Sequence, residues 1–251
     1  MLSKEAIQFL MQEGIKPDER VVEITDVDGR ERIFVIDEEG RGSEIRPIIN
    51  LAKQKFLLSS LTGLINYIQS NLDRQDENLF LHVDDEKTVS LESKLFDDGS
   101  RETLVVANAI VPSFRYEYYY DAEEMLINFQ SKFRFTDDRD LLLKVVGNVK
   151  EENVRQTGDT GIAQAVTIKT GISSADDVVV PNPVTLAPYR TFLEVEQPES
   201  DFIFRMKEGP QGAIFEADGG AWRNNAIGNI RDYLANELKE EIESGRITII
   251  A

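Results

Sequence analysis

Cysteine is absent from this chain, and histidine and tryptophan occur once each. Without a thiol there is no disulfide, no thiolate nucleophile, no cysteine zinc site and no iron–sulfur cluster, a composition that fits a reducing cytoplasm. The lone His82 has no companion for a histidine-based metal site. No apolar run approaches the ~20 residues that span a bilayer. The N-terminal MLSKEAIQFLMQEG is too short and too polar for a signal peptide. Basic residues are also scarce, with 28 set against 46 acids for a net charge of −18. That balance works against binding to nucleic-acid backbones, which takes clustered Lys and Arg. It leaves two readings of the acids: a solvated, self-repelling surface, or a face that imitates nucleic acid.

What is present is a soluble globular composition, 41% apolar and 29% charged, which excludes a disordered chain. The length, 251 residues, suits one large domain or two small ones. Residues 3–13 predict a short helix. VVEITDV and ERIFVIDE, joined through Asp28-Gly29, predict a hairpin. From Pro47 onward, Leu57, Leu61, Leu64, Ile65, Ile68 and Leu72 make an apolar stripe at helical spacing. Strands are expected over 79–84 and 87–92 and from Thr103 to Val111. Asp121 is placed to cap a helix with Ala122, Met125, Leu126, Phe129 and Phe133 on one face. Thr136 or Asp137 is placed to cap another that Gly147 ends.

Residues 151–217 read mostly as β. A final helix over about 221–244 repeats Trp222, Ala226, Ile230, Leu234, Leu238 and Ile242 every four residues, with Gly245 as its C-cap and RITIIA as a closing strand. No repeat or linker interrupts the chain. The expectation is a single α+β domain over 1–251, with mixed or antiparallel sheet and three or four helices, including the long amphipathic C-terminal one.

The stretch VVVPNPVTLAPYRTFLEVEQPESDFIFR, Val178 to Arg205, has four prolines and two strand-like runs. Alternation in Thr191 to Glu196 and in Asp201 to Lys207, with Pro198 in a turn between them, predicts a hairpin. Pro181, Pro183 and Pro188, followed by Tyr189, make a stiff lead-in that either lies along a second subunit or wraps its own domain. Glu194 and Glu196 share a strand face at i and i+2, and Glu216 and Asp218 have the same spacing. Either pair offers two carboxylates to Mg²⁺ or Mn²⁺, although pairing of the glutamates with Arg205 or Lys207 across the hairpin serves equally.

AIFEADGGAWRN predicts a strand, a Gly219-Gly220 turn and a helix capped by Asp218. Such a helix start attracts anions, but the pair carries neither GxGxxG nor GxxxxGK[ST], so a plain tight turn is the alternative. His82, with Asp84 two residues on, has the composition for proton transfer. In FRYEYYYD, Tyr116, Tyr118 and Tyr120 would line one strand face, as a subunit contact or as core.

Three segments carry a family resemblance: TGDTGIAQAVTIKTGI, VPNPVTLAPYRTFLEVEQPESDFIFRMK and IFEADGGAWRNNAIGNIRDYL. In that order they resemble the phage and prophage proteins typified by YfdQ of enteric bacteria. The likeness is most specific over about Gly158 to Leu234 and looser elsewhere, including LTGLINYI at 61–68. It implies a phage-encoded protein acting in the host bacterial cytoplasm, from a non-virion gene region, and carries over no catalytic residue.

Three functions follow as expectations. The first is a non-enzymatic accessory protein, without cofactor, that assembles into a homo-oligomer through the proline arm and the tyrosines. The second is an acidic interaction protein that blocks a host nuclease or another DNA-binding protein. The third is a divalent-metal enzyme on nucleic acid or nucleotides, using Glu194, Glu196, Glu216 or Asp218.

Overall fold

Alternating and helical patterns become strands and helices at most of the expected places. The computed structural model describes residues 20–25, 31–37, 39–45, 51–73, 78–96, 99–148, 164–170, 174–207 and 209–251. The expected helix at 3–13, the Asp28-Gly29 turn and Pro47 lie outside the described residues. Contacts group the chain into two units, Met1–Lys53 with Leu95–Ser100, and Gln54–Lys94 with Arg101–Ala251. In the first unit, β1 (Val21–Thr25), β2 (Glu31–Ile36) and β3 (Gly42–Ile45) form a three-stranded antiparallel meander, with Val21 opposite Val35 and Ile33 opposite Ile45.

The second unit is α+β and contains two main sheets. One has five strands in the order β14 (Ile247–Ile250), β5 (Leu79–Val83), β6 (Thr88–Ser93), β7 (Thr103–Asn108) and β4 (Phe56–Leu58). Its centre is antiparallel and both edge strands pair in parallel. Leu79, Leu81, Val83, Val89, Leu91, Val105 and Ala107 alternate onto a buried face. Against that face pack α1 (Leu61–Ser70), through Leu61, Leu64, Ile65 and Ile68, and α4 (Trp222–Glu237), through Ile230 and Leu234. Each such side chain contributes about 1.5–3 kcal/mol on full burial.

The other sheet runs β11 (Val184–Leu186), β12 (Ser200–Lys207), β13 (Gln211–Glu216) and β8 (Tyr120–Asp121). Phe202, Phe204 and Met206 alternate into a second core with α2 (Ala122–Lys132) and α3 (Asp137–Asn148). A separate antiparallel hairpin joins β9 (Gln164–Thr170) to β10 (Ser174–Val180). Among the described residues, no helix is long and apolar enough to cross a membrane.

Local chemistry explains most of the helix ends. The side chain of Ser60 accepts from the Gly63 amide at the start of α1, and Asn71 ends that helix in the left-handed region at φ 43°. Asp121 caps α2 by accepting from Glu124 N at 2.8 Å, and Thr136 accepts from Arg139 N at the start of α3. Gly245 closes the C-terminal helical region at φ 76°.

Four expectations are corrected. Leu57 and Leu72 leave the apolar stripe, because 56–58 is an edge strand and Asn71 ends α1 before Leu72. α3 continues through Gly147 to Asn148. The last helix breaks at Leu238, and α5 (Lys239–Glu243) follows it.

The fourth correction concerns the opening hairpin. Residues 191–196 are not a strand, and β12 pairs with β11 and β13 instead. The buried side chain of Gln197 is the reason. Its Oε1 accepts from the amides of Arg190 (2.9 Å) and Thr191 (3.2 Å), and its Nε2 donates to the carbonyls of Phe192 (2.8 Å) and Val195 (3.3 Å). One side-chain amide thus satisfies backbone groups that a ladder would otherwise have to pair. Phe192 and Val195 then anchor the loop in the core of the five-stranded sheet at a spacing of three, not two.

Candidate functional site

The 190–197 loop positions the feature that the sequence reading left unassigned, the guanidinium of Arg190. The residue is 6% exposed. Nη1 meets Glu216 Oε1 at 3.0 Å, at the end of β13, and Nη2 donates to Ser200 Oγ at 2.5 Å, at the start of β12. Its central carbon lies 3.8 Å from the centroid of the Trp222 ring and 5.6 Å from that of Phe202. Tyr116 stacks on Phe202 with centroids 5.7 Å apart and planes 11° from parallel. A second guanidinium, that of Arg223, stands 4.8 Å from the same indole. Trp222 therefore carries two arginines, an arrangement stabilised by the ring quadrupole and opposed by the mutual repulsion of the two charges.

Tyr116, Arg190, Glu216, Trp222 and Arg223 border a cleft of about 410 Å³. The β5–β6 turn contributes Glu86 and Lys87, the segment after β7 contributes Val111 to Phe114 and Tyr116, and the end of α2 contributes Lys132. Pro188, Tyr189 and Arg190 come from the loop, Glu216 from β13, and Trp222 and Arg223 from the start of α4. The walls thus draw on both cores of the unit. Thr191 ties them together by donating to the Glu86 carbonyl at 2.5 Å, and Lys132 Nζ donates to the Ser113 carbonyl at 2.6 Å.

Burial dominates the electrostatics. It pulls the Arg190 guanidinium below its ordinary range, while Tyr116, Glu216 and Asp218 pull the other way. It also pushes the Tyr116 phenol up to about 12, with Arg190 lowering the value and Glu216 raising it. At neutral pH Tyr116 therefore stands beside the Arg190–Glu216 pair as a neutral phenol. Two donors remain buried without an acceptor, Arg190 Nε and Trp222 Nε1. An unmatched buried donor costs about 1–3 kcal/mol.

No family model, curated protein or solved structure matches the chain.

The residues singled out in the sequence are distributed as follows. Glu194 accepts from Thr62 N and Oγ1 (3.3 and 3.4 Å) at the N-terminus of α1, where the helix dipole favours an anion. Glu196 is exposed, with Arg134 at 3.9 Å. The two glutamates do not share a strand face, and neither pairs with Arg205 or Lys207 in the ion pairs of the described residues. Glu216 holds Arg190. Asp218 accepts from Gly220 N (2.9 Å) and Trp222 N (3.2 Å), so the chain's own carboxylate takes one amide of the Gly-Gly turn and the first amide of α4. Gly219 and Gly220 both adopt positive φ, 64° and 83°, as a tight turn demands. Among the described residues, no group of three or more His, Asp or Glu side chains is arranged to hold a metal ion.

Tyr116, Tyr118 and Tyr120 do not line a strand face, because Glu117 at φ 59° turns the chain and only Tyr120 lies in a strand. Tyr120 Oη accepts from Arg115 N, and Tyr118 faces solvent under the Arg115 guanidinium. Pro181 directly follows β10 and Pro183 directly precedes β11, with the Asn182–Pro183 peptide cis. Pro188 forms a β-bridge with Phe133, and Tyr189 N donates to the Lys132 carbonyl. This lead-in therefore packs on its own unit. His82 Nδ1 and Asp84 Oδ1 are 2.9 Å apart, but neither residue borders the cleft. Arg190 went unassigned because its neighbours Glu216 and Trp222 are 26 and 32 residues away. The legible signal was an arginine inside a proline-rich, otherwise apolar run.

Proposed function

We propose that this protein is a non-enzymatic binding protein that receives an anionic group in the Arg190 cleft. The observation that carries the reading is the pair of guanidiniums on Trp222, one of them buried, in a chain whose net charge is −18. An acidic protein that gathers cations around a concave, partly aromatic space has the composition of a small-ligand site. The YfdQ-like segment supports the same focus, since Tyr189, Arg190, Glu216, Trp222 and Arg223 all fall within Gly158 to Leu234. On that resemblance the setting is a phage-encoded accessory role in the host cytoplasm.

The test uses the single tryptophan as its reporter. Aromatic carboxylate and aromatic phosphate probes, titrated into the full chain, are expected to change Trp222 fluorescence saturably in the wild type and not in Arg223→Ser. A response that stays linear with both probes would overturn the reading.

Self-assembly is the second reading, now motivated by a different surface. Leu57, Val106, Ser90, His82 and Ile250 stand in one cross-strand row over all five strands of the sheet, on the face away from α1 and α4. Leu57 is 70% exposed and Ile250 47%. Face-to-face packing of this row between copies would bury apolar surface in a closed assembly. Light scattering behind a sizing column tests it: a discrete mass above 28.4 kDa that Leu57→Lys returns to monomer supports assembly, and a wild-type monomer rules it out.

A further inference from the structure

We propose that the ligand of the Arg190 cleft is a small phosphate monoester carried on an aromatic ring. The inference rests on reading the cleft as an anion site and narrows it to one chemistry.

Charge comes first. Lys87, Lys132, Arg190 and Arg223 border the cleft against Glu86 and Glu216, a surplus of two positive charges. A carboxylate would neutralise one. A phosphate monoester, at about −1.5 to −2 near pH 7, matches the surplus.

Donor geometry points the same way. Glu216 engages Arg190 at hydrogen-bond distance, but Arg223 Nε reaches Glu86 Oε1 only at 3.9 Å. The Arg223 fork thus retains donors suited to paired phosphate oxygens. Three phosphate oxygens answer the Arg223 fork and the two lysine ammoniums on the cleft wall better than two carboxylate oxygens in one plane.

Size and surroundings set the rest of the ligand. About 410 Å³ exceeds the needs of a bare ion, and Phe114, Tyr116 and Tyr189 supply aromatic surface in the same cleft. A polynucleotide is disfavoured, because every further phosphate would face the field of a chain at −18. One phosphate on one ring system satisfies both the local surplus and the global deficit of positive charge.

Phenyl phosphate, adenosine monophosphate, inorganic phosphate and benzoate are titrated separately into the full chain, by calorimetry and by Trp222 fluorescence. The expected order places at least one of the two aromatic monophosphates about tenfold or more tighter than both benzoate, which lacks the charge for the paired bonds, and inorganic phosphate, which lacks the ring. Whichever is tighter identifies the source as an aryl or a nucleoside phosphate. Arg223→Lys keeps the charge and removes the fork. Because the Arg223 side chain is half exposed, this variant is expected to keep the wild-type melting temperature while the preference for phosphate over carboxylate collapses. Benzoate binding as tightly as phenyl phosphate overturns the phosphate inference and leaves the anion site standing. Inorganic phosphate binding as tightly as both aromatic monophosphates overturns the aromatic body. Silence with all four probes overturns the inference and the anion reading together.

Discussion

Arg190 and Trp222 are in contact face to ring, with the guanidinium carbon 3.8 Å from the indole centroid, and Glu216 fixes the guanidinium from the side at 3.0 Å. Replacing Arg190 with Leu removes the cation from both partners at once. Glu216 is partly exposed and regains some hydration, so the loss is expected to fall around or below the lower end of the 3–5 kcal/mol seen for a broken buried pair, at about 2–4 kcal/mol. Arg190→Lys keeps the charge but not the planar stack or the fork, and is expected to recover less than half of that loss. Urea unfolding followed by far-UV circular dichroism measures both. A change under about 0.5 kcal/mol for Arg190→Leu, the scale of an ordinary surface substitution, would contradict the proposed role.

The centre also makes a prediction in alkali. Burial raises the Tyr116 phenol to about 12, above the ordinary value of 10. Between those values the unfolded chain has released the proton and the folded chain still holds it. The folded state therefore binds more protons, and stability falls as pH rises. The contribution is complete below pH 10 and is lost between 10 and 12. Tyr67, raised by burial and by its bond to Asp73 at 2.6 Å, titrates late as well. Phenolate absorbance is expected to show a late component from Tyr67 and Tyr116, above the ordinary value of 10, and Tyr116→Phe should remove part of it. Loss of a step near pH 10 instead would mean that Tyr116 is hydrated.

Gln197 accounts for much of what could and could not be read from the sequence. Periodicity within one element was legible wherever that element buries one face: Leu61, Leu64, Ile65 and Ile68 on a helix, Phe202, Phe204 and Met206 on a strand, and Asp121 as a cap. Alternation in TFLEVE suggested a strand for the same reason. What overrode it is a single buried amide that collects four backbone bonds from its own loop, a tertiary choice that local pattern does not encode. The cleft was illegible for a related reason. Its pieces, Glu86, Tyr116, Arg190, Glu216 and Arg223, each look ordinary in place and become a site only when the two cores meet. The turn at Asp218 to Gly220 was legible as a turn, and its candidate anion proved to be Asp218 itself.

Gln197→Leu keeps the bulk of the side chain and deletes all four bonds, leaving Arg190 N, Thr191 N and two carbonyls with no side-chain partner. The expected cost is about 2–4 kcal/mol, since each unmatched buried group costs ~1–3 kcal/mol and the loop can move to hydrate some of them. Gln197→Glu gives a sharper result. Its protonated form can still donate to one carbonyl, whereas the carboxylate faces the Phe192 and Val195 oxygens with no proton to offer. Its destabilisation is therefore expected to grow as pH rises through the carboxyl range, while the wild type lacks that component. Urea midpoints at acidic and neutral pH measure the difference. Equal destabilisation at both would show that the 190–197 loop does not depend on the amide donor.

Gly220 links the turn to the cleft. Its φ is 83°, and a methyl group built there would sit 2.5 Å from Arg223 Nη1. Gly220→Ala thus carries two costs: a left-handed conformation at about 1–2 kcal/mol, and displacement of the Arg223 guanidinium. Gly219→Ala is the matched control, with φ at 64° and no neighbour within 4 Å of the added carbon. Both variants are expected to lose stability in urea, Gly220→Ala at least as much as Gly219→Ala. Only Gly220→Ala should also weaken phenyl phosphate binding, because only there does the methyl group push the second guanidinium off the indole. Equal binding losses in the two variants would assign the effect to turn strain alone and separate Arg223 from ligand recognition.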